Sequence, residues 1–338
     1  MRRTVYKIVS FLIVIVTFAS CTNSHKNKTN SFDKAISAND SIVLLTNQIK
    51  KDSTDFNLWK QRATLYLNNG NVDFAFRDVN KALQLNSENP EVFLLLSDIY
   101  FTIGKIDNSL SSIKKAIDLR PDNPASYLKM AQVKLILQKY KSASLFADKV
   151  ISLSPDNSKA YYIKAISALE QKDSANALNF MKMAANIDTN FFAAYLNIAV
   201  ILNAQGDSTA KKYLVKAINI KPDNALANYL LGMYYQNHKQ FGKALTTYQK
   251  LIELHPDNYE AYFNRGYIYL IEYLDFEKAE KEFERAIEIK PDYTEAVYNL
   301  GRTYEAMGKI DQAKKQYRQA LKLTTNYPLA IEGLNRLE

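Results

Sequence analysis

The sequence predicts an all-α fold, a solenoid of about eight helix-turn-helix repeats with a capping helix at each end. Two observations predict it. First, a proline-like stop recurs at Ser87, Pro121, Pro155, Thr189, Pro222, Pro256, Pro291 and Thr325, with spacings of 34, 34, 34, 33, 34, 35 and 34 residues. A fixed period in this range marks a repeat architecture in which each unit contacts only its neighbours. Second, aligning the chain on that stop brings small residues and aromatics into columns.

Each column has a physical reason. The small residue of the first helix is Ala63, Ser97, Ala131, Ala165, Ala199, Gly232, Gly266 or Gly301. The alanine near the start of the second helix is Ala75, Ala143, Ala177, Ala244, Ala279 or Ala313. Both let the two helices approach closely; a larger side chain would overpack the hairpin by about 1–3 kcal/mol. Tyr66, Tyr100, Tyr235, Tyr269 and Tyr304 are predicted to fill the seam between hairpins. Proline cannot continue a helix, so Pro-Asp-Asn at 121–123, 155–157, 222–224 and 256–258 ends four of the second helices, and its Asn caps the next first helix. Pro90 and Pro124 open their helices at the first position, where proline is tolerated.

The repeats run 56–89, 90–123, 124–157, 158–191, 192–224, 225–258, 259–293 and 294–327. Residues 40–55 are expected to hold an N-terminal capping helix (Ser41–Lys51), and residues 328–338 a C-terminal one with Leu329, Ile331, Leu334 and Leu337 available to pack. Two repeats break the period. The fifth is one residue short around Gly206–Ala210, and the seventh one residue long around Ile271–Phe276. One reading is neutral length variation in the turn between helices. The other is a local change of superhelix pitch that shapes a binding face.

These columns carry a resemblance. "NLGRTYEAMGKIDQAKKQYRQALKL" at Asn299–Leu323 and "LLGMYYQNHKQFGKALTTYQKLIELHPDN" at Leu230–Asn258 resemble the tetratricopeptide repeat family. Its spacing is W-x2-L-G-x2-Y, then A-x3-F, then P. Eight units in register cover Phe56 to Tyr327. The resemblance implies a right-handed superhelix whose concave side is lined by the first helices, and protein ligands rather than catalysis.

The N-terminus carries a second signal. Arg2, Arg3 and Lys7 form a basic region, and Val9–Ala19 is an apolar stretch too short to span a bilayer. Residues 1–20 therefore read as a secretion signal. Phe18-Ala19-Ser20-Cys21 is similar to the lipobox of bacterial lipoproteins, with Phe18 where Leu is usual. The resemblance implies cleavage before Cys21 and lipid on its thiol and new amino group. Cys21 is the only cysteine, so no disulfide or thiolate cluster is expected. Several acyl chains anchor stably where one binds marginally. Thr22 in place of Asp favours, by analogy, the outer membrane facing the periplasm. Residues 21–39 read as the lipidated cysteine and a flexible polar tether.

No catalytic constellation is found, and no cofactor or metal is expected. His25, His238 and His255 lack metal-site spacing. His255, at a helix C-terminus, is expected to complement the last carbonyls of its own helix. Without Arg2, Arg3 and Lys7 the net charge is 44 − 3 − 35 = +6, with Lys and Glu interspersed. Such runs are solvated faces, and no basic stripe suited to nucleic acid stands out.

By the resemblance, columns two, five, nine and twelve of each repeat face inward. Columns five, six and nine then give a candidate partner-binding stripe: Leu128, Tyr162, Ile166, Leu196, Asn197, Val200, Tyr229, Met233, Phe263, Asn264, Tyr267, Tyr298, Asn299 and Arg302. Column twelve adds Asn203 and Gln236. These are either ordinary inward residues of a tightly wound superhelix or an apolar groove with amide ridges. Tyr, Phe and Met suit such anchors. Truncating Tyr229 and Phe263 together is expected to weaken partner capture at nearly unchanged melting temperature. The carboxylate clamp of chaperone-binding repeats is not expected: Lys60 and Lys129 match, but Thr64, Leu95 and Ala125 do not.

The expectation is a membrane-anchored scaffold that binds a protein or peptide in the bacterial cell envelope. The alternative is a glycan- or peptidoglycan-binding outer-membrane lipoprotein, with exposed aromatics stacking on sugars. Against that, Trp59 is the only tryptophan and sits in a packing column. Solenoids of this type sometimes dimerise through terminal repeats, which leaves a homodimer open.

Overall fold

The computed structural model describes residues 38–338. The predicted leader, Cys21 and the tether up to residue 37 lie outside the described residues. Eighteen α-helices and one π-helical turn follow, with no strand among the described residues. They cluster into two compact units that divide at Thr189/Asn190.

In the first unit, α1 (Ala38–Lys51) packs on the first of four antiparallel helix pairs. These are α2 (Phe56–Asn68) with α3 (Val72–Leu85), α4 (Pro90–Thr102) with α5 (Ile106–Leu119), α6 (Pro124–Ile136) with α7 (Tyr140–Leu153), and α8 (Ser158–Glu170) with α9 (Ser174–Ile187). Leu45 and Ile49 of α1 are buried, while Val43 and Leu44 are exposed. A charged lock fixes α1. Arg62 Nε and Nη2 donate to Asp78 at 2.6 and 2.9 Å, and its Nη1 donates to Thr46 Oγ1 at 3.0 Å. Asp78 is fully buried. Removing one partner of such a pair would strand a buried charge, at about 3–5 kcal/mol.

The second unit repeats the plan with α10 (Phe192–Ala204) and α11 (Ala210–Ile220), then α12 (Ala225–Asn237) and α13 (Phe241–Leu254). α14 (Tyr259–Ile268), extended by a π-turn (Tyr269–Tyr273), pairs with α15 (Phe276–Ile289). α16 (Thr294–Ala306) pairs with α17 (Ile310–Leu323), and α18 (Pro328–Arg336) closes the unit. Leu334 and Leu337 pack into the last cluster, whereas Leu329 and Ile331, expected to pack, are exposed. Arg336 instead anchors α18, donating from Nε and Nη2 to Glu305 at 3.0 Å each.

Local chemistry sets the helix ends. Asn89, Asn123, Asn157, Asn224 and Asn258 each accept a backbone N–H of the following first helix. Each cap satisfies a donor the helix itself leaves unpaired. The turn inside every hairpin has one left-handed residue. Four hairpins use glycine (Gly70, Gly104, Gly206, Gly308), and the others Gln138, Lys172, Lys239 and Leu274.

The small-residue column has a partner that sequence reading overlooked. On the second helices it faces Val79, Ile113, Ala147, Met181, Leu214, Tyr248, Phe283 and Tyr317, all at most 1% exposed. Where the first helix offers alanine or serine, this partner is aliphatic. Where it offers Gly232, Gly266 or Gly301, the partner is a ring. A Cβ at Gly232 would stand 2.4 Å from Tyr248 Cε1. Volume is thus traded across the seam, as close packing demands.

The two breaks in period are absorbed differently. In the fifth repeat the second helix lacks its first turn: α11 begins at Ala210, the fully buried alanine of its column. In the seventh the extra residue sits inside the first helix rather than in the turn, as the π-turn Tyr269–Tyr273. Leu274 N–H and Asp275 N–H both donate to Tyr269 O there. A π-turn inserts one residue without breaking the helix, so the hairpin turn that follows keeps its left-handed residue.

Candidate functional site

The structure divides the predicted stripe by depth. In the first unit Tyr162 and Ile166 are buried and Leu128 is half-buried. The polar inner positions there neutralise one another. Lys60 pairs with Glu91 at 2.5 Å, and Lys129 with Asp98 at 2.7 Å. These are the two lysines that match the carboxylate-clamp pattern, and both already hold a carboxylate.

In the second unit Leu196, Asn197, Tyr298 and Asn299 are buried. The amide ridges are partly consumed by the helices that carry them. Asn197 Nδ2 donates to Ala193 O at 2.8 Å, and Asn299 Nδ2 to Glu295 O at 2.8 Å. Arg302 Nη1 donates to Asn299 Oδ1 at 3.1 Å, and its guanidinium lies 6.0 Å from the Tyr298 ring. Tyr298 itself packs on Tyr317 and Tyr327 at 5.7 and 5.6 Å.

Val200, Tyr229, Met233, Phe263, Asn264 and Tyr267 remain half-buried. The geometry draws several of them together. Phe263 lies 5.0 Å from Tyr293, 5.8 Å from Phe283 and 6.5 Å from Tyr267. Tyr229 lies 6.2 Å from Tyr248. Asn264 stands beside the phenols of Tyr229 and Tyr248. Both phenols feel Asn264 as a hydrogen-bond donor, yet its buried Nδ2 closes no hydrogen bond of normal geometry with either, a costly arrangement that calls for a reason. Because Tyr229 and Phe263 support this packing, truncating them would remove core contacts too, contrary to the unchanged melting temperature expected from the pattern.

Electrostatics single out Glu260, a residue the stripe omitted. Burial pushes its carboxyl above the usual value, opposed by Lys290 and by a hydrogen bond with Tyr259. Burial, reinforced by Glu260, lifts the Tyr229 phenol to about 12. Burial raises Tyr293 further still, with Glu295 adding to it. Both tyrosines therefore remain neutral hydroxyl groups at physiological pH. Lys290 Nζ donates to the Tyr259 hydroxyl at 3.1 Å and lies 4.5 Å from its ring. Column two was among the inward columns, and reading it would have found Glu260 and Glu295. Tyr293 lies in the turn before α16 and had no periodic signal.

The two histidines among the described residues, His238 and His255, are structural. His255 Nε2 donates to Asp223 O at 2.6 Å, tying together successive inter-repeat turns rather than its own helix end. His238 stacks on Tyr234 at 4.0 Å. Among the described residues, no helix is long and apolar enough to cross a membrane, and no group of three or more His, Cys, Asp or Glu is placed to hold a metal.

Comparison with known proteins agrees with this architecture. Tetratricopeptide repeat family models match residues 270–333 and 90–123, and a TPR repeat model matches residues 238–270. The structure resembles the C-terminal part of a TPR repeat-containing protein from Cytophaga hutchinsonii at 20% identity and a TM-score of 0.61, over 71% of this chain and 98% of that one. It resembles Pseudomonas aeruginosa PilF at 18% identity and a TM-score of 0.55, over 61% and 94%. It also resembles YrrB, described as a TPR protein with an unusual peptide-binding site, at 22% identity and a TM-score of 0.50, over 55% and 96%. No curated protein matches the sequence significantly. At these identities the likeness establishes a shared fold: an array of tetratricopeptide-type helical hairpins.

Proposed function

We propose that this chain is a lipid-anchored adaptor of a bacterial cell envelope that captures a protein or peptide partner along the inner columns of its second unit. It acts by binding rather than by catalysis. The observation that carries this reading is the half-buried set Tyr229, Met233, Phe263, Asn264 and Tyr267, with the Asn264 Nδ2 buried and unpaired. Aromatic and methionine side chains contribute contact area. An unpaired amide donor beside them can be satisfied by a peptide carbonyl, so the partner supplies what the free chain lacks. Repeats of this fold typically mediate protein–protein contacts, and the peptide-binding site named for YrrB supports the same use here by analogy.

The anchor rests on Cys21, the sole cysteine, placed after a basic and then an apolar segment. Lipid there would confine the adaptor to a membrane, with Thr22 favouring the outer one. A photo-crosslinking amino acid at Met233, introduced in the producing bacterium, tests the groove. One dominant crosslinked protein is expected from Met233 and none from Lys315, an exposed site on α17. Equal crosslinking from both sites would contradict the reading.

A further inference from the structure

Column two carries a carboxylate in three repeats, at Glu91, Glu260 and Glu295. In the first unit that carboxylate meets a cation from one repeat upstream: Lys60, in column five, pairs with Glu91 at 2.5 Å. The same step in the second unit leads to a ring. Column five holds Tyr229 upstream of Glu260 and Phe263 upstream of Glu295. Among the described residues, neither Glu260 nor Glu295 closes an ion pair. The other charges around them are engaged elsewhere. Lys290 acts on Glu260 without pairing to it. Its ammonium donates to the Tyr259 hydroxyl at 3.1 Å and lies over the Tyr259 and Tyr293 rings at 4.5 and 5.6 Å. Arg302 in column nine donates to Asn299, and Glu305 in column twelve is paired with Arg336 at 3.0 Å.

Both carboxylates border the aromatic stripe. Glu260 is half-buried and acts on the phenols of Tyr229 and Tyr293. Glu295 is exposed and acts on the phenols of Tyr293 and Tyr327. Tyr293 thus stands between the two carboxylates, with its ring 5.0 Å from Phe263. A partly buried carboxylate without a counter-ion is costly, and an aromatic ring cannot neutralise it. A ring does attract a cation to its face. Carboxylate and ring together therefore fit a basic side chain, in two successive repeats. Asn264, next to Phe263, places a buried amide donor in the same stripe, beside the Tyr229 phenol. That donor calls for an acceptor such as a main-chain carbonyl, which a simple polyamine lacks.

We infer that the segment captured by the second unit is a basic peptide, whose Lys or Arg side chains pair with Glu260 and Glu295 beside the rings of Tyr229, Phe263 and Tyr293. This rests on the reading of the inner columns as the partner-binding face, and adds the chemistry of what binds there. The partner supplies the cations that Lys60 supplies within the first unit. The chain as a whole is basic, with 44 Lys and Arg against 35 Asp and Glu. Unspecific attraction would therefore favour an acidic peptide.

Fluorescence anisotropy of the full chain with a labelled nonapeptide of alternating Arg and Leu tests it. Peptides with Gln or Glu in place of Arg are the comparisons. The Arg–Leu peptide is expected to bind saturably, at least about tenfold tighter than either comparison. Glu260→Gln is expected to weaken that binding about tenfold. Glu295→Gln, at an exposed position, should weaken it about threefold. Glu277→Gln, exposed on α15, should leave it unchanged. All three variants should keep at least the wild-type melting temperature, so that weaker binding is not a loss of fold. The proposal is overturned if the Arg–Leu peptide does not bind, or if the Gln–Leu or Glu–Leu peptide binds as tightly. It is also overturned if Glu260→Gln and Glu295→Gln bind no more weakly than Glu277→Gln. The inner-column reading fails on a different result, equal crosslinking from Met233 and Lys315.

Discussion

At Gly232 the hairpin seam leaves no space for even one carbon. A Cβ there would meet the fully buried Tyr248 ring at 2.4 Å. Gly232→Ala is expected to lower stability by about 1–3 kcal/mol, as overpacking does, and a melting curve will show it. An unchanged melting temperature would mean the ring moves freely. The turn at Gln138 predicts the opposite sign. Its φ of 56° is left-handed, where four other hairpins place glycine. An L-residue there costs roughly 1–2 kcal/mol, and glycine's greater freedom when unfolded offsets about 0.5–1 kcal/mol of the gain. Gln138→Gly is therefore expected to raise the melting temperature modestly. The small column was legible in the sequence, because alanine and glycine recur in step. Its matched rings were not, because volume is shared between residues about sixteen apart and each helix alone looks ordinary.

At the scale of an element, α14 and α15 show what period alone conceals. The extra residue of the seventh repeat was visible as a spacing, but its placement as a π-turn depends on which carbonyl, that of Tyr269, accepts two donors. Glu260 sits in the first turn of α14, where a negative charge is ordinarily favoured. Burial overrides that preference and raises its carboxyl above the ordinary 4.5. The folded chain thus keeps this proton to higher pH than the unfolded chain does. Stability from this group falls as pH rises above 4.5 through the raised folded value. Glu260→Gln is expected to melt at the same temperature as wild type below pH 4.5 and at a higher temperature at neutral pH. A difference that stays constant with pH would show that burial is not what disfavours the charge. The columns show which residues share a helix face, but depth was not legible from them. Tyr298 and Phe263 share column five, yet the first is buried and the second half-buried, because neighbouring hairpins present different rings to them.

Across the whole molecule, the two units differ in how the candidate columns are satisfied. The polar inner positions of the first unit satisfy one another through Lys60–Glu91 and Lys129–Asp98. The second unit keeps a half-buried aromatic stripe and a buried amide donor that closes no hydrogen bond of normal geometry. That donor is a cost in the free chain, so removing it should leave stability intact. If a partner's carbonyl accepts from it, removing it should weaken binding. The most direct measurement is therefore the affinity of Asn264→Ala for the protein crosslinked at Met233, read beside its melting temperature. Binding at least about tenfold weaker, with no loss of melting temperature, is what the adaptor account predicts. Wild-type affinity from this variant would contradict it.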